Sequence, residues 1–140
     1  MVRVLLILVW AGAIFVLTCT ASFRGLVEFG VVRFVWDSQP LFGQLLEPLP
    51  GRITAAFLLQ KLGHMGAFFI LTSLLQTKLE SKLMILLIAA AYAVLTEFLQ
   101  LYFTRDGRIF DVGFDMIGVL LALGIGGLLF RPESRQYIHK

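Results

Sequence analysis

Four long apolar stretches divide this chain, and in three of them ionisable residues enter at one end only. Residues 4–20 (VLLILVWAGAIFVLTCT) carry no charge and predict a first spanning helix, with Trp10 placed mid-span to pack against a neighbour. Residues 53–76 predict a second, in which Lys61 and His64 stand three apart and share a face. Gly63 and Gly66 are expected to permit close backbone approach on this helix. Residues 83–103 predict a third: apolar apart from Tyr92 in its first half, then bearing Glu97 and Gln100, again three apart. Residues 108–130 predict a fourth, with Asp111 and Asp115 four apart near its start and Gly118 one turn on. Residues 77–82 form a short polar connection, 104–107 have turn chemistry, and Pro132 stops the last helix before a polar tail.

Residues 21–52 make the longest connection. Arg24, Glu28, Arg33, Asp37 and Glu47 make it too charged to span, and its many aromatic and aliphatic residues make it too apolar to float free. A short helix or loop in the headgroup region fits, anchored by Trp36 and interrupted by Pro40, Pro48 and Pro50. It either caps the polar end of the bundle or merely links two spans.

Composition narrows the class. With 59% hydrophobic and 15% charged residues and a mean hydropathy of +0.88, an ordinary soluble domain is excluded. The expected fold is an all-α integral membrane protein, a four-transmembrane-helix bundle with an interfacial segment between helices one and two. Four spans of ~20 residues fill most of one domain, residues 1–140. A net charge of +3 is too weak to argue for nucleic acid. The single Cys19 forms no intrachain disulfide, and Thr18 before it does not suit a lipoprotein signal. The first apolar run lacks a clean small-x-small cleavage site, so it is read as a retained helix rather than a signal peptide.

The helical rise converts sequence position into depth. Lys61 and His64 lie roughly 12 and 16 Å below the start of the second span. Glu97 and Gln100 lie roughly 9 and 5 Å below the end of the third. Asp111 and Asp115 lie roughly 5 and 10 Å below the start of the fourth. Up-and-down connection therefore delivers all six to one layer of the bilayer, with Arg105 and Arg108 directly above. An ionisable group near the bilayer centre costs roughly 2.5–3.5 kcal/mol or more, so such a layer needs a reason. Each residue also has a bland role. Lys61 can snorkel, His64 can be a satisfied core side chain, and Gln100 can be interhelical glue. Asp111 can cap its helix, Arg105 and Arg108 can be loop charges, and the whole can be a structural network.

The pattern Lys61-Leu-Gly-His64, then Glu97-Phe-Leu-Gln100, then Arg105, Asp111 and Gly118, resembles the VanZ-like family, named for a teicoplanin-resistance protein. The resemblance spans about residues 59–124. Two positions depart from it: Gln60 stands where Asp is common before the Lys, and Asp115 where Asn is common four residues after the Asp. It implies a small bacterial cytoplasmic-membrane protein linked to the cell envelope and, in some members, to glycopeptide tolerance. It does not supply a reaction.

Two functions compete. The first is an enzyme acting on phosphate-bearing lipid or polyprenyl intermediates at the outer leaflet. Lys61, His64, Glu97, Arg105 and Asp111 would be its catalytic set, with Gln100, Arg108 and Asp115 binding substrate. Lys and Arg suit phosphate oxygens, and His beside carboxylates suits proton transfer. The second is a protein that binds or translocates an anionic lipid without cleaving it, since intramembrane acids and His serve relays as readily. No resident cofactor is expected. A divalent metal on His64, Glu97, Asp111 and Asp115 is a lesser reading, because the spacing is not diagnostic and cations stand nearby. Membrane lipids are the expected partners, and the oligomeric state is open. The basic tail and the Lys78–Lys82 loop favour both termini in the cytoplasm, with the polar layer facing outward.

Overall fold

The computed structural model describes residues 1–49, 51–105 and 107–129. The expected end of the fourth span at Phe130, the turn residue Asp106, Pro50 and the polar tail with Pro132 lie outside the described residues. Five α-helices and one 3-10 turn follow in order: α1 (Val2–Cys19), α2 (Phe23–Phe29), the turn (Phe42–Leu46), α3 (Ala55–Gln76), α4 (Lys82–Tyr102) and α5 (Ile109–Leu129). Four of them, α1, α3, α4 and α5, are long and apolar enough to cross a membrane. No described boundary departs from its expected span by more than two residues.

Local chemistry sets the helix starts. The Ser22, Thr54 and Ser81 hydroxyls accept hydrogen bonds from the amides of Gly25, Phe57 and Met84. Each satisfies one of the donors that a helix N-terminus leaves over. At the other end of α4, Thr104 adopts a left-handed φ of 55°, and the Arg105 amide bonds back to the Gln100 carbonyl at 3.0 Å. That is a Schellman closure with Thr where Gly is usual. It reverses the chain over a short path into α5.

The helices are turned inside out relative to a soluble bundle. Leu5, Leu8 and Val9 of α1, Leu87 of α4 and Leu120 and Leu121 of α5 point outward, where lipid solvates them. The core joins Ile14, Phe68, Leu71, Ile85 and Val119, with Ala89 and Ala93 letting α4 come close. Aromatic groups fasten α1 as expected for Trp10: its indole N–H donates to the Ala67 carbonyl at 2.9 Å, and the Tyr92 hydroxyl donates to the Ala11 carbonyl at 2.6 Å.

Helices α3 and α5 run parallel and share the most extensive interface. Their contacts keep nearly one register along the whole length: Lys61 meets Asp111, His64 meets Asp115, Met65 meets Gly118, and the Gln76 amide donates to the Ala122 carbonyl. Gly118 makes this possible. A Cβ there would overlap the Met65 carbonyl oxygen and sit 3.1 Å from the Phe69 nitrogen. The expectation for Gly63 and Gly66 is corrected. A Cβ at either meets nothing within 4 Å, because both face away from the interface that Gly118 forms.

The segment between α1 and α3 is fastened to the polar end of the bundle. The Ala21 amide bonds to the Arg33 carbonyl at 2.7 Å, and the Asp37 amide to the Tyr102 carbonyl at 2.8 Å. Phe34 stacks on Phe15, Trp36 on Tyr102 and Phe42 on Phe98, so its aromatic side chains pack the ends of α1 and α4. Trp36 keeps an exposed edge, as an interfacial anchor does.

Replacing Gly118 with Ala is expected to destabilise the fold by about 1–3 kcal/mol through overpacking. Gly63→Ala is expected to stay within about 0.5 kcal/mol of the parent. Thermal melts of the two variants in one detergent check this, and equal midpoints would refute the assigned role of Gly118.

Candidate functional site

The register of α3 on α5 builds two rungs of a ladder. On the first, the Lys61 ammonium pairs with Asp111 Oδ2. Phe57 and Phe114 flank the ammonium, with ring centroids 5.1 and 5.9 Å away. One turn deeper, His64 Nδ1 stands 3.2 Å from Asp115 Oδ1. Spacings of three residues on α3 and four on α5 each make about one helical turn, so both rungs face the same seam.

Helix α4 closes the third side. The Glu97 carboxylate is held at both oxygens: the Gln100 amide donates to Oε1 at 3.3 Å, and the Arg108 backbone N–H donates to Oε2 at 2.9 Å. That backbone contact requires the α4–α5 connection to lie on α4. A Cβ at Gly107 would overlap the Glu97 carbonyl, so this glycine is what admits the approach. One ligand atom each from His64, Glu97 and Asp115 falls within 4.8 Å of the others.

The layer is closed. Lys61 is 5% exposed, Glu97 1%, Asp111 4% and Asp115 0%. Two carboxylate oxygens, Asp111 Oδ1 and Asp115 Oδ2, are buried with no hydrogen-bond partner among the described residues. In a native interior almost every buried acceptor is satisfied, so each orphan asks for a missing proton, water, ion or ligand.

The eight residues singled out in the sequence divide as follows. Lys61, His64, Glu97, Gln100, Asp111 and Asp115 converge in the closed layer. Arg108 stands at its rim, with its backbone on Glu97 and its guanidinium 3.5 Å from Glu47. Arg105 does not enter the layer. Its backbone closes α4, and its side chain lines a separate cleft of about 210 Å³ together with Asp37, Gln44 and Thr104. Asp115, which stands where the resemblance led to Asn, is the partner of His64. Asp111 lies in the first turn of α5, where a carboxylate suits the helix dipole, but its side chain pairs with Lys61 and makes no capping hydrogen bond among the described residues.

Sequence reasoning missed Glu47 and Gln44 as site neighbours. Both lie in the long connection, which long-range contacts such as Phe42 on Phe98 and Trp36 on Tyr102 bring over the end of α4. An acid one residue before Pro48 and three before Pro50 carries no signal of its own. A groove of about 800 Å³ lies at the opposite end and includes Arg3, Ser73 and Gln76. It contains none of the eight candidates.

A bundle of four membrane-spanning helices enclosing titratable groups at one end defines a multi-pass membrane protein with an intramembrane polar site. Within that class the chain belongs to the VanZ/LLP1 family, whose model matches residues 4–130. It is 36% identical over 135 residues to "Uncharacterized membrane protein YwnJ" of Bacillus subtilis (strain 168), covering 95% of this chain and 96% of that protein. No solved structure matches it significantly.

Removing one partner of a buried ion pair costs about 3–5 kcal/mol, because the other charge is left unpaired. Lys61→Met is expected to lose stability on that scale, and Lys61→Met combined with Asp111→Leu to recover most of it. Chemical or thermal unfolding in micelles reads the difference. Additive losses in the double variant would show that the two groups do not neutralise each other.

Proposed function

We propose that the polar layer is the reaction site of an enzyme that acts on phosphate-bearing lipid or polyprenyl intermediates of the bacterial envelope. The observation that carries this reading is the buried His64–Asp115 pair with Glu97 beside it. A carboxylate that fixes one ring nitrogen of a histidine sets its tautomer and leaves the other nitrogen to move a proton. Above the pair, Arg108 at the rim and Arg105 in the neighbouring cleft supply the donors that phosphate oxygens favour. A lipid diffusing in the bilayer would keep its chains beside the apolar outer face and present its headgroup at this end. Gln100 would orient Glu97, and Lys61 with Asp111 would gain access to the phosphate when the pair opens.

The orientation proposed here places this end outward and both termini in the cytoplasm, on the charge of the Lys78–Lys82 loop and the tail. An outward site would meet envelope precursors, which is how glycopeptide tolerance in this family would follow.

A second reading has its own support. Lys61 is engaged by Asp111 and Arg108 by Glu47, so a site whose cations are already paired also suits binding or translocation of an anionic lipid without chemistry. Incubation of the purified protein with labelled polyprenyl phosphates, polyprenyl diphosphates and glycerophospholipids separates the two. Turnover that falls about 100-fold or more in His64→Ala, with the fold intact, is the expected result. Binding of the same lipids without product, weakened by Arg105→Ala, would replace the enzyme with the binding protein.

Orientation has its own check. Cys19 is buried, so added cysteines report alone. Ser38→Cys, on an exposed part of the long connection, should react with a membrane-impermeant maleimide in intact cells, and Lys78→Cys only after permeabilisation. The reverse pattern would invert the protein in the membrane.

A further inference from the structure

We infer that His64, Glu97 and Asp115 form a binding site for one divalent first-row transition-metal ion. The inference rests on the geometry of the closed layer and holds whether or not a lipid is turned over.

Charge points to a cation first. Among the buried groups Lys61 is matched by Asp111, which leaves the Glu97 and Asp115 carboxylates beside a histidine with no further buried cation in the cluster. Two carboxylates drawn together away from water are stable only with protons or a cation between them. Size points the same way. The four charged side chains of the layer are buried as it stands, and a single ion asks for less opening than a headgroup would.

Ligand chemistry narrows the ion. One imidazole nitrogen and two carboxylate oxygens make a mixed N/O set of the kind used by zinc, manganese and iron enzymes, with a position left for water. Metal–ligand bonds of about 2.0–2.2 Å place ligand atoms about 3–3.5 Å apart. The three atoms lie within 4.8 Å, so closure around an ion asks each to move by an ångström or so (about the difference between these spacings). Asp115 Oδ2 is fully buried, has no hydrogen-bond partner among the described residues, and belongs to this same carboxylate, which is what a waiting ligand atom looks like.

The surrounding groups behave as supports for ligands. Gln100 and the Arg108 backbone N–H grip Glu97 by its two oxygens and fix the plane of its carboxylate. Asp111, counted with the other acids in the sequence reading, is not part of the set: it is turned to Lys61 and screens the site from that charge.

The test uses full-length protein carrying His139→Ala, in lipid nanodiscs, stripped with a chelator and titrated with Mn²⁺ alone. The expected result is one Mn²⁺ bound per chain, read from loss of the free-ion electron paramagnetic resonance signal. Its pulsed spectrum should carry nitrogen modulation from a coordinated imidazole, for which His64 is the remaining source. Glu97→Gln and Asp115→Asn should each weaken binding at least tenfold, whereas Glu80→Gln, an exposed acid, should leave it unchanged. No bound Mn²⁺, bound Mn²⁺ without imidazole modulation, or binding that Glu80→Gln lowers as much as Glu97→Gln, would each overturn the site. Because the first two readouts need no substitution in the layer, they decide the matter even where Glu97→Gln fails to fold.

Discussion

A charge inside a lipid-bathed bundle must be matched by another charge, and this constraint governs the arrangement of the last three spans. Lys61 has few ways to exist where it does: it sits one to two turns into α3, is almost fully covered, and leans on aromatic rings that contribute only modestly. Asp111 meets the need, and it does so only if α5 lies against α3 in one register. That register then carries His64 to Asp115 and brings Gly118 under Met65. Polar pairing and small-residue packing thus specify the same alignment, which is the kind of agreement between levels that defines a single native structure.

The third side depends on backbone rather than charge. Among the described residues, the hydrogen bonds that hold the Glu97 carboxylate come from an amide side chain and from a backbone N–H of the chain reversal after α4. That reversal is tight and holds Thr104 in a conformation that a β-branched residue resists. Strain of this kind persists where the surroundings dictate it and gathers at working sites. Here the surroundings are the Gln100 carbonyl on one side and the packing of Gly107 on Glu97 on the other. Among the described residues Thr104 is the one non-glycine with a positive φ, and it lies in the connection that positions Glu97.

Much of this could be read from residue order. Long apolar runs fixed the four spans, because lipid permits little besides a continuous helix. Placement of Lys61, Glu97 and Asp111 in the same outer half of successive up-and-down spans was enough to forecast that α3, α4 and α5 share a polar layer. Pairing was harder to foresee. Depth alone does not say that Lys61 takes Asp111 rather than Glu97, since that choice follows from the α3–α5 register and hence from Gly118. The glycines of α3 misled for a related reason: Gly63 and Gly66 lie on the helix face turned away from α5, and a small residue on an open face carries no packing role. Arg105 and Glu47 depended on the irregular connection, whose path is set by stacking between Phe42, Phe98, Trp36 and Tyr102. Long-range aromatic contacts of that kind leave no periodic trace.

The account turns on whether groups from different spans truly share one closed space, and the His64–Asp115 contact is its most exposed point. Dipolar recoupling by solid-state nuclear magnetic resonance, on protein in bilayers with ¹⁵N in the histidine rings and ¹³C in the aspartate carboxyls, measures that contact directly. A strong nitrogen–carbon coupling that disappears in Asp115→Asn protein labelled the same way is the result this structure requires. Absence of any such coupling in the parent protein would mean that α3 and α5 do not meet at this rung, and the enclosed layer would not exist as described.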